Sequence, residues 1–211
     1  MPQFPSIETL KNFKVVFWDL DNTIYAYEPA HQAALKAALK EFSELFEADA
    51  NTSKEYYAVA RAEINKRLHG QAASHSRLLY FKEMIQNVGS SKISKAVNLE
   101  KIYWNAFLKH MKMNEEALDL IKKLYENSIP MAVITDLTTQ IQLKKMKHLK
   151  LEKYFSLIIS SEEAGVEKPN AKIFKMAMSK MKVKPNKCCI IGDNIKTDGG
   201  GEPLGMKVFI I

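Results

Sequence analysis

Two aspartates, Asp19 and Asp21, stand two positions apart at the end of the short apolar run Val15-Val16-Phe17-Trp18. The run is β-branched and aromatic without a polar break, which is typical of a strand covered by helices on both faces of a parallel sheet. Residues two apart in extended chain point the same way, so both carboxylates can face one site. Paired acids at the end of such a strand indicate phosphate chemistry. The plainer alternative is a solvated turn that carries acids by chance.

Further polar residues follow other apolar runs of the chain. Thr135, Asp136 and Asp193 stand directly beyond such runs, and Lys168 lies in a loop before Pro169, a residue favoured in the first turn of a helix. Taken singly, Thr135 is explained as a helix cap, Lys168 as a surface lysine and Asp193 as a turn residue. Open parallel sheets bind ligands at the carboxyl ends of their strands, so the fold would bring these side chains together.

The elements that must position these residues alternate between helix and strand from Asn114 onward. Such alternation predicts a parallel sheet built from βαβ units. With the first apolar run, strands are predicted at 131–134, 157–159, 188–191 and 207–211. The expected fold class is α/β, a Rossmann-like parallel sheet core in three α/β/α layers.

The intervening segment is helical in period and carries four apolar stripes. They begin at Leu35, Tyr57, Leu78 and Leu99 and recur at helical spacing. Four amphipathic helices can shelter these stripes against one another. We therefore expect residues 1–25 and 112–211 to form the α/β core, and residues 26–111 to form a helical domain inserted after the first strand.

Composition restricts the class of protein. The 211 residues carry a net charge of +7, but the lysines are scattered along helical segments such as 144–147, so most are expected on solvated faces and no nucleic-acid partner is expected. No apolar stretch is long enough to cross a bilayer, and the first residues do not resemble a signal peptide, which predicts a cytoplasmic protein without a membrane partner. Cys188 and Cys189 are adjacent in an apolar run, where small buried thiols are expected rather than a disulfide or redox pair.

The chain resembles the haloacid dehalogenase superfamily of phosphohydrolases over nearly its whole length. The resemblance rests on four motifs in order: Asp19-Leu20-Asp21-Asn22-Thr23, Ile134-Thr135-Asp136, Glu167-Lys168-Pro169 and Gly192-Asp193-Asn194-Ile195-Lys196-Thr197-Asp198. The helical insertion between the first two motifs is similar to the cap domain of the subfamily whose caps are α-helical. The segment 138–174 is similar to members that hydrolyse nucleotide or sugar phosphates.

The resemblance implies roles for the acidic residues. Asp19 would be the nucleophile that forms an aspartyl-phosphate, and Asp21 would protonate the leaving alcohol and later activate water. Mg²⁺ would be held by Asp19, Asp193 and the backbone carbonyl of Asp21. A cation is needed because the negative charge of a phosphomonoester repels an anionic nucleophile. Members that displace halide lack the second acid, so the presence of Asp21 favours phosphate transfer.

The resemblance also implies a phosphate-binding set. The Thr135 hydroxyl and the backbone N–H of Asp136 would hold phosphoryl oxygens, while Lys168 would balance charge on the phosphate and the nucleophile. Asp198 would orient Lys168 or a metal-bound water from behind, in the same motif as Asn194.

The function expected is therefore a Mg²⁺-dependent phosphomonoesterase acting on a small phosphorylated metabolite, a nucleotide or sugar phosphate. Three alternatives stay open: a phosphomutase using the same intermediate, a receiver-like signalling module that holds its phosphoryl group, and a binding protein that has lost catalysis. The lifetime of phosphorylated Asp19 separates the receiver from the enzymes. Measurable turnover excludes the binding protein.

Two segments fit the resemblance less closely. The polar residues of the insertion could contact a substrate, Arg77 being the best candidate among His31, His69, His75, Arg77 and Tyr80. Beyond Asp198, the run Gly199-Gly200-Gly201-Glu202-Pro203-Leu204-Gly205 replaces a segment that is helical in relatives. Its glycines and proline predict a poor helix.

Overall fold

The computed structural model describes residues 4–211, and its centre is a five-stranded sheet. The strands are β1 (Val15–Trp18), β2 (Met131–Thr135), β3 (Leu157–Ser160), β4 (Cys188–Gly192) and β5 (Lys207–Ile210). All neighbouring pairs are parallel, in the order β3-β2-β1-β4-β5. The predicted parallel sheet is confirmed, and each strand begins at its predicted residue and ends within one residue of its predicted end.

Helices occupy most of the remaining chain. The α-helices are α1 (Ile7–Leu10), α2 (Tyr27–Phe46), α3 (Ala50–Arg67), α4 (Arg77–Asn87), α5 (Lys95–His110), α6 (Glu115–Glu126), α7 (Thr139–His148), α8 (Ser161–Ala164) and α9 (Ala171–Lys180). Short 3-10 helices cover Ala72–His75, Pro185–Lys187 and Asp198–Leu204. Asp49, Asn114 and Asn170 cap the helices that follow them, each accepting backbone N–H bonds at the helix start.

Both faces of the central strands β1, β2 and β4 are buried, as their apolar sequences require. Val15 and Phe17 on β1 join a core cluster that includes Phe174 of α9. Val16 and Trp18 alternate to the opposite face and are also fully buried. Helices therefore cover the sheet on two sides, which confirms the α/β fold class.

The order of the strands fixes where a ligand site can form. The chain runs from β1 to β2 and β3 on one side and returns to β4 and β5 on the other. This reversal makes a topological switch point beside β1, and such sheets bind ligands at that point, beyond the carboxyl ends of the strands. Asp19 directly follows β1 and Asp193 directly follows β4, so two predicted site residues flank the switch point.

The chain divides into two compact units. One comprises the described residues up to Ala26 together with Lys112–Ile211, and the other comprises Tyr27–Met111. The second unit consists of α2 to α5 and one 3-10 turn, and its core is rich in aromatic rings such as Phe42, Phe81 and Phe107. Within residues 4–211, no helix combines the length and the apolar character needed to cross a bilayer.

The glycine-rich run after Asp198 is more ordered than the sequence predicts. It forms the 3-10 helix Asp198–Leu204 rather than an irregular loop. Gly200 is required there because a Cβ atom at this position would lie 2.4 Å from the carbonyl oxygen of Pro169 and 2.8 Å from the Phe174 ring. Close approach of two backbone segments therefore explains a glycine that helix propensity alone counts as unfavourable.

Candidate active site

Asp19 and Lys168 form the centre of the site at the carboxyl edge of the sheet. The Lys168 Nζ atom donates to Oδ1 of Asp19 at 2.6 Å, and the Thr23 hydroxyl donates to Oδ2 at 3.2 Å. All three side chains are buried, and the backbone N–H of Asp19 is bonded to the carbonyl of Ile191 on β4 at 2.9 Å. The strands therefore hold this carboxylate in one position, with an ammonium group against one oxygen.

Asp198 approaches Lys168 from the other side. Its Oδ1 accepts from the Lys168 Nζ atom at 2.6 Å, and its Oδ2 accepts the backbone N–H of Asn194 at 3.2 Å. Gly192 permits this arrangement because a Cβ atom there would lie 2.2 Å from Oδ2 of Asp198. Asp198 is completely buried, and its hydrogen bond to Lys168 restricts the position of the lysine ammonium.

Three carboxylates gather here and can hold a metal ion. One oxygen each of Asp19, Asp193 and Asp198 lies within 4.8 Å of the others. When all three carboxylates are ionised, the single ammonium of Lys168 leaves two negative charges uncompensated. Hard oxygen donors with an excess charge of two suit a divalent cation such as Mg²⁺.

Ionisation at this cluster is governed by burial and by the neighbouring charges. Burial, opposed by the Lys168 ammonium and reinforced by the Asp198 and Asp21 carboxylates, raises the pKa of Asp19 to about 8. Burial and the Asp198 carboxylate also raise the pKa of Asp193 above its ordinary value. A cation among these oxygens would favour their ionised forms.

Thr135 and Asp136 stand at the end of β2, as predicted. The Thr135 side chain is 1% exposed, and its Oγ1 accepts from Nε2 of Gln142 at 2.6 Å. Nε2 also lies 2.6 Å from the Asp136 carbonyl oxygen. The Asp136 carboxylate accepts the backbone N–H of Lys168 at 3.0 Å and so ties the loop carrying the lysine to β2. Gln142 was not among the predicted site residues.

Asp21 is held by two residues that sequence reasoning did not assign to the site. Lys145 Nζ lies 2.7 Å from Oδ1 and 2.9 Å from Oδ2 of Asp21, and the Tyr25 hydroxyl donates to Oδ1. Burial alone would raise the pKa of Asp21, but the Lys145 ammonium and the hydrogen bonds to Lys145 and Tyr25 outweigh it and hold the pKa below its ordinary value. Asp21 is therefore predominantly ionised near neutral pH.

The expectation of solvated lysines along 144–147 is wrong for Lys145, which is 0% exposed. The burial of Lys145 is indicated in the sequence by its position within the apolar stripe of α7, four residues from Ile141 and four from Leu149. A lysine on a buried helix face requires an anionic partner. The sequence pattern did not indicate that this partner is Asp21.

Arg77, the predicted substrate residue, lies in the helical unit. Its guanidinium donates to the carbonyl of His75 at 2.6 Å and to the Tyr27 hydroxyl. Its Cζ also lies 5.2 Å from the ring centroids of both Tyr80 and Tyr103. The side chain is 7% exposed. These contacts stabilise the aromatic core of that unit, and a role towards substrate stays a prediction.

Comparisons with known proteins identify the family of this chain. A model of the haloacid dehalogenase-like hydrolase family matches residues 16–211. A ribulose-1,5-bisphosphate 5-phosphatase of Halopiger xanaduensis is 35% identical over 198 residues, which cover 92% of this chain and 83% of the relative. A glyceraldehyde 3-phosphate phosphatase of Methanopyrus kandleri is 26% identical over 195 residues, covering 92% and 81%.

A solved structure has the same fold. The HAD-hydrolase YfnB of Bacillus subtilis, crystallised with magnesium, superposes with a TM-score of 0.67 at 21% identity, covering 93% of this chain and 87% of that one. The four motifs lie in the family's order. All four belong to the α/β unit and meet at one edge of its sheet. The chain belongs to the haloacid dehalogenase-like hydrolase family and is a phosphatase-type member of it.

Proposed function

We propose that this enzyme hydrolyses the phosphate ester of a small sugar-type metabolite through an aspartyl-phosphate on Asp19, with Mg²⁺ as its cofactor. The observation that carries the proposal is the Asp19 carboxylate, buried at the switch point and hydrogen-bonded to Lys168 at 2.6 Å. The names of the two relatives support the substrate class, since both act on phosphorylated short-chain sugars.

The first half-reaction transfers the phosphoryl group to the protein. An oxygen of Asp19 attacks phosphorus and the bond from phosphorus to the alcohol oxygen breaks. The departing alcohol takes its proton from Asp21, which acts in this step in its minor, protonated form. Lys168 offsets negative charge on the attacking and transferred oxygens. The Thr135 hydroxyl accepts from Gln142 and donates to the Asp136 carbonyl oxygen at 3.3 Å. Donation to a phosphoryl oxygen would replace this long hydrogen bond.

The second half-reaction releases inorganic phosphate. Asp21 takes a proton from water as the water oxygen attacks phosphorus, and the bond from phosphorus to Asp19 breaks. The sum consumes one water and yields one alcohol and one inorganic phosphate. Asp21 is available to accept this proton because its lowered pKa keeps it ionised at neutral pH.

Asp19, Asp193 and the Asp21 backbone carbonyl would hold the metal ion. Asp198 would not be a ligand, because its two oxygens already accept hydrogen bonds from Lys168 and Asn194. When bound, Mg²⁺ supplies positive charge that neutralises the phosphate and keeps the carboxylates ionised. Asp198 would contribute to catalysis indirectly, because its hydrogen bond with Lys168 keeps the ammonium group beside Asp19. The helical unit is proposed as the cap that restricts water during turnover.

The test is phosphate release from a panel comprising ribulose-1,5-bisphosphate, glyceraldehyde 3-phosphate and a nucleoside monophosphate, with and without Mg²⁺. We expect metal-dependent release by wild type and none by Asp19→Asn. Asp119→Asn is the matched control, since Asp119 is an exposed acid on α6. Release by Asp19→Asn at the wild-type rate would refute the covalent route. Conversion of the substrate to an isomeric phosphate ester without phosphate release would show that the enzyme is a mutase and not a hydrolase.

A further inference from the structure

We propose that Lys145 is a positioning residue for catalysis, fixing the Asp21 carboxylate in the orientation from which it transfers a proton to and from the reacting oxygens. The inference rests on the proposed function and adds a residue of α7 to it. Lys145 acts through Asp21.

The geometry of the pair carries the inference. A single ammonium group lies within 2.9 Å of both Asp21 oxygens, and the Tyr25 hydroxyl binds Oδ1 as well. An aspartate carboxylate turns about two side-chain bonds, and contacts to both oxygens restrict both rotations. Lys145 Nζ also lies 5.6 Å from the centroid of the Tyr25 ring, so the two partners of Asp21 are packed together.

Packing alone does not explain a lysine at this position. Its side chain is completely buried, whereas Asp21 stays 29% exposed. Burying an ammonium group is costly unless a charge compensates it, and an apolar residue of similar length commonly serves packing as well or better. Met146 and Ile141 supply such apolar contacts on the same helix. The ion pair with the Asp21 carboxylate therefore explains the buried charge of Lys145.

Helix α7 carries a second residue that contacts the same edge of the sheet. Gln142 lies one turn before Lys145 and donates to the Thr135 hydroxyl oxygen and the Asp136 carbonyl. Residues three apart lie on one helix face. One face of α7 thus orients both the proposed acid and base and the proposed phosphate-binding loop, and displacing this helix would disturb both.

Leaving-group dependence tests positioning separately from general structural damage. An alkyl alcohol needs a proton as it departs, whereas p-nitrophenolate departs without one. A misplaced Asp21 should therefore slow a sugar phosphate far more than p-nitrophenyl phosphate. The parameter to compare is kcat/KM, because it covers the steps up to loss of the alcohol and excludes later hydrolysis of the phosphorylated enzyme.

For Lys145→Met we expect kcat/KM to fall about 10- to 100-fold on the best sugar phosphate of the panel, and less than about 3-fold on p-nitrophenyl phosphate. Lys144→Met is the matched control, because Lys144 is the exposed neighbour on α7. It should match wild type on both esters. Equal losses on both esters with Lys145→Met, or no loss on either, would overturn the proposal.

Two further variants keep the test decisive if Lys145→Met folds poorly. Tyr25→Phe removes one hydrogen bond to Asp21 and keeps the ring, so it should show the same selective loss to a smaller degree. Adding Lys145→Met to Asp21→Asn should cause no further loss on the sugar phosphate, because the lysine would have nothing left to position. A full additional loss would overturn the proposal. If wild type itself releases no phosphate from any ester, the proposed function fails instead.

Discussion

The ammonium of Lys168 lies 2.6 Å from Oδ1 of Asp198 and, on its other side, the same distance from Asp19. Asp198 is completely buried and Lys168 nearly so, and Gly192 leaves the space that the Asp198 carboxylate occupies. The lysine is thus held between the proposed nucleophile and a second carboxylate. These two contacts restrict the lysine side chain and hold its positive charge at the proposed phosphate site.

Asp198→Asn should lower turnover by about 10- to 100-fold while the protein stays folded, because the amide keeps the shape but not the charge that fixes Lys168. Steady-state kinetics on the best sugar phosphate measure the loss. Asp119→Asn, which removes an exposed acid of α6, should leave turnover unchanged. Wild-type turnover in Asp198→Asn would show that this carboxylate does not orient the lysine.

Mg²⁺ should raise the melting temperature of the wild-type protein, because a ligand that binds only the native state stabilises it. The gain is about 2.7 kcal/mol at a metal concentration 100 times the dissociation constant. Asp193→Asn should lose most of this shift, and chelation should abolish both the shift and turnover. Thermal unfolding with graded Mg²⁺ provides the measurement. A shift of the same size in Asp193→Asn would place the ion elsewhere.

Gly200→Ala should destabilise the protein by about 1 to 3 kcal/mol, because the added methyl group would lie 2.4 Å from the rigid Pro169 carbonyl oxygen. Gly199→Ala is the matched control. Its methyl group would meet the end of the Ile195 side chain, which is 55% exposed and can move. A change within about 0.5 kcal/mol is expected there. Equal denaturant midpoints for the two variants would contradict the steric explanation.

His31 should make stability depend on pH below neutrality. Burial and the Arg77 and Arg61 charges, opposed by Glu28, lower its pKa from 6.5 to about 4. Its Nδ1 is hydrogen-bonded to the Tyr103 hydroxyl at 2.6 Å. Between pH 6.5 and 4 the unfolded chain binds a proton at His31 that the native protein does not. The contribution of neutral His31 to the free energy of unfolding is therefore fully present above pH 6.5 and decreases as the pH falls. The loss reaches about 3 kcal/mol by pH 4.

The free energy of unfolding measured at pH 7 and at pH 4.5 checks this sign. The decrease should be smaller in His31→Gln than in wild type, because the variant has no group to titrate at that position. All other titrating groups are common to both proteins and cancel in the comparison. Identical decreases would mean that His31 is protonated equally in the native and unfolded states.

The positions of the catalytic motifs were predictable because apolar runs end where polar residues begin. Burial on both faces makes a central strand uniformly apolar, so β1, β2 and β4 could be located, together with Asp19, Thr135 and Asp193 beyond them. Lys168 was less evident from its surroundings, since a lone lysine in a loop has an ordinary surface explanation. Its place in a motif before Pro169 identified it.

The sequence by itself determined the elements, the alternation that makes the sheet parallel, and the acidic and basic residues at the strand ends, because hydrophobic period and turn residues are local properties. Only the tertiary structure decided which charges meet. Asp19 and Lys168 are 149 positions apart, and Asp21 and Lys145 are 124 apart. Such pairings depend on the order of the strands and the placement of α7, and no local pattern specifies them. The glycine at 200 likewise follows from contacts with Pro169 and Phe174, which lie far away in the sequence, so helix propensity alone misjudged the segment 199–205.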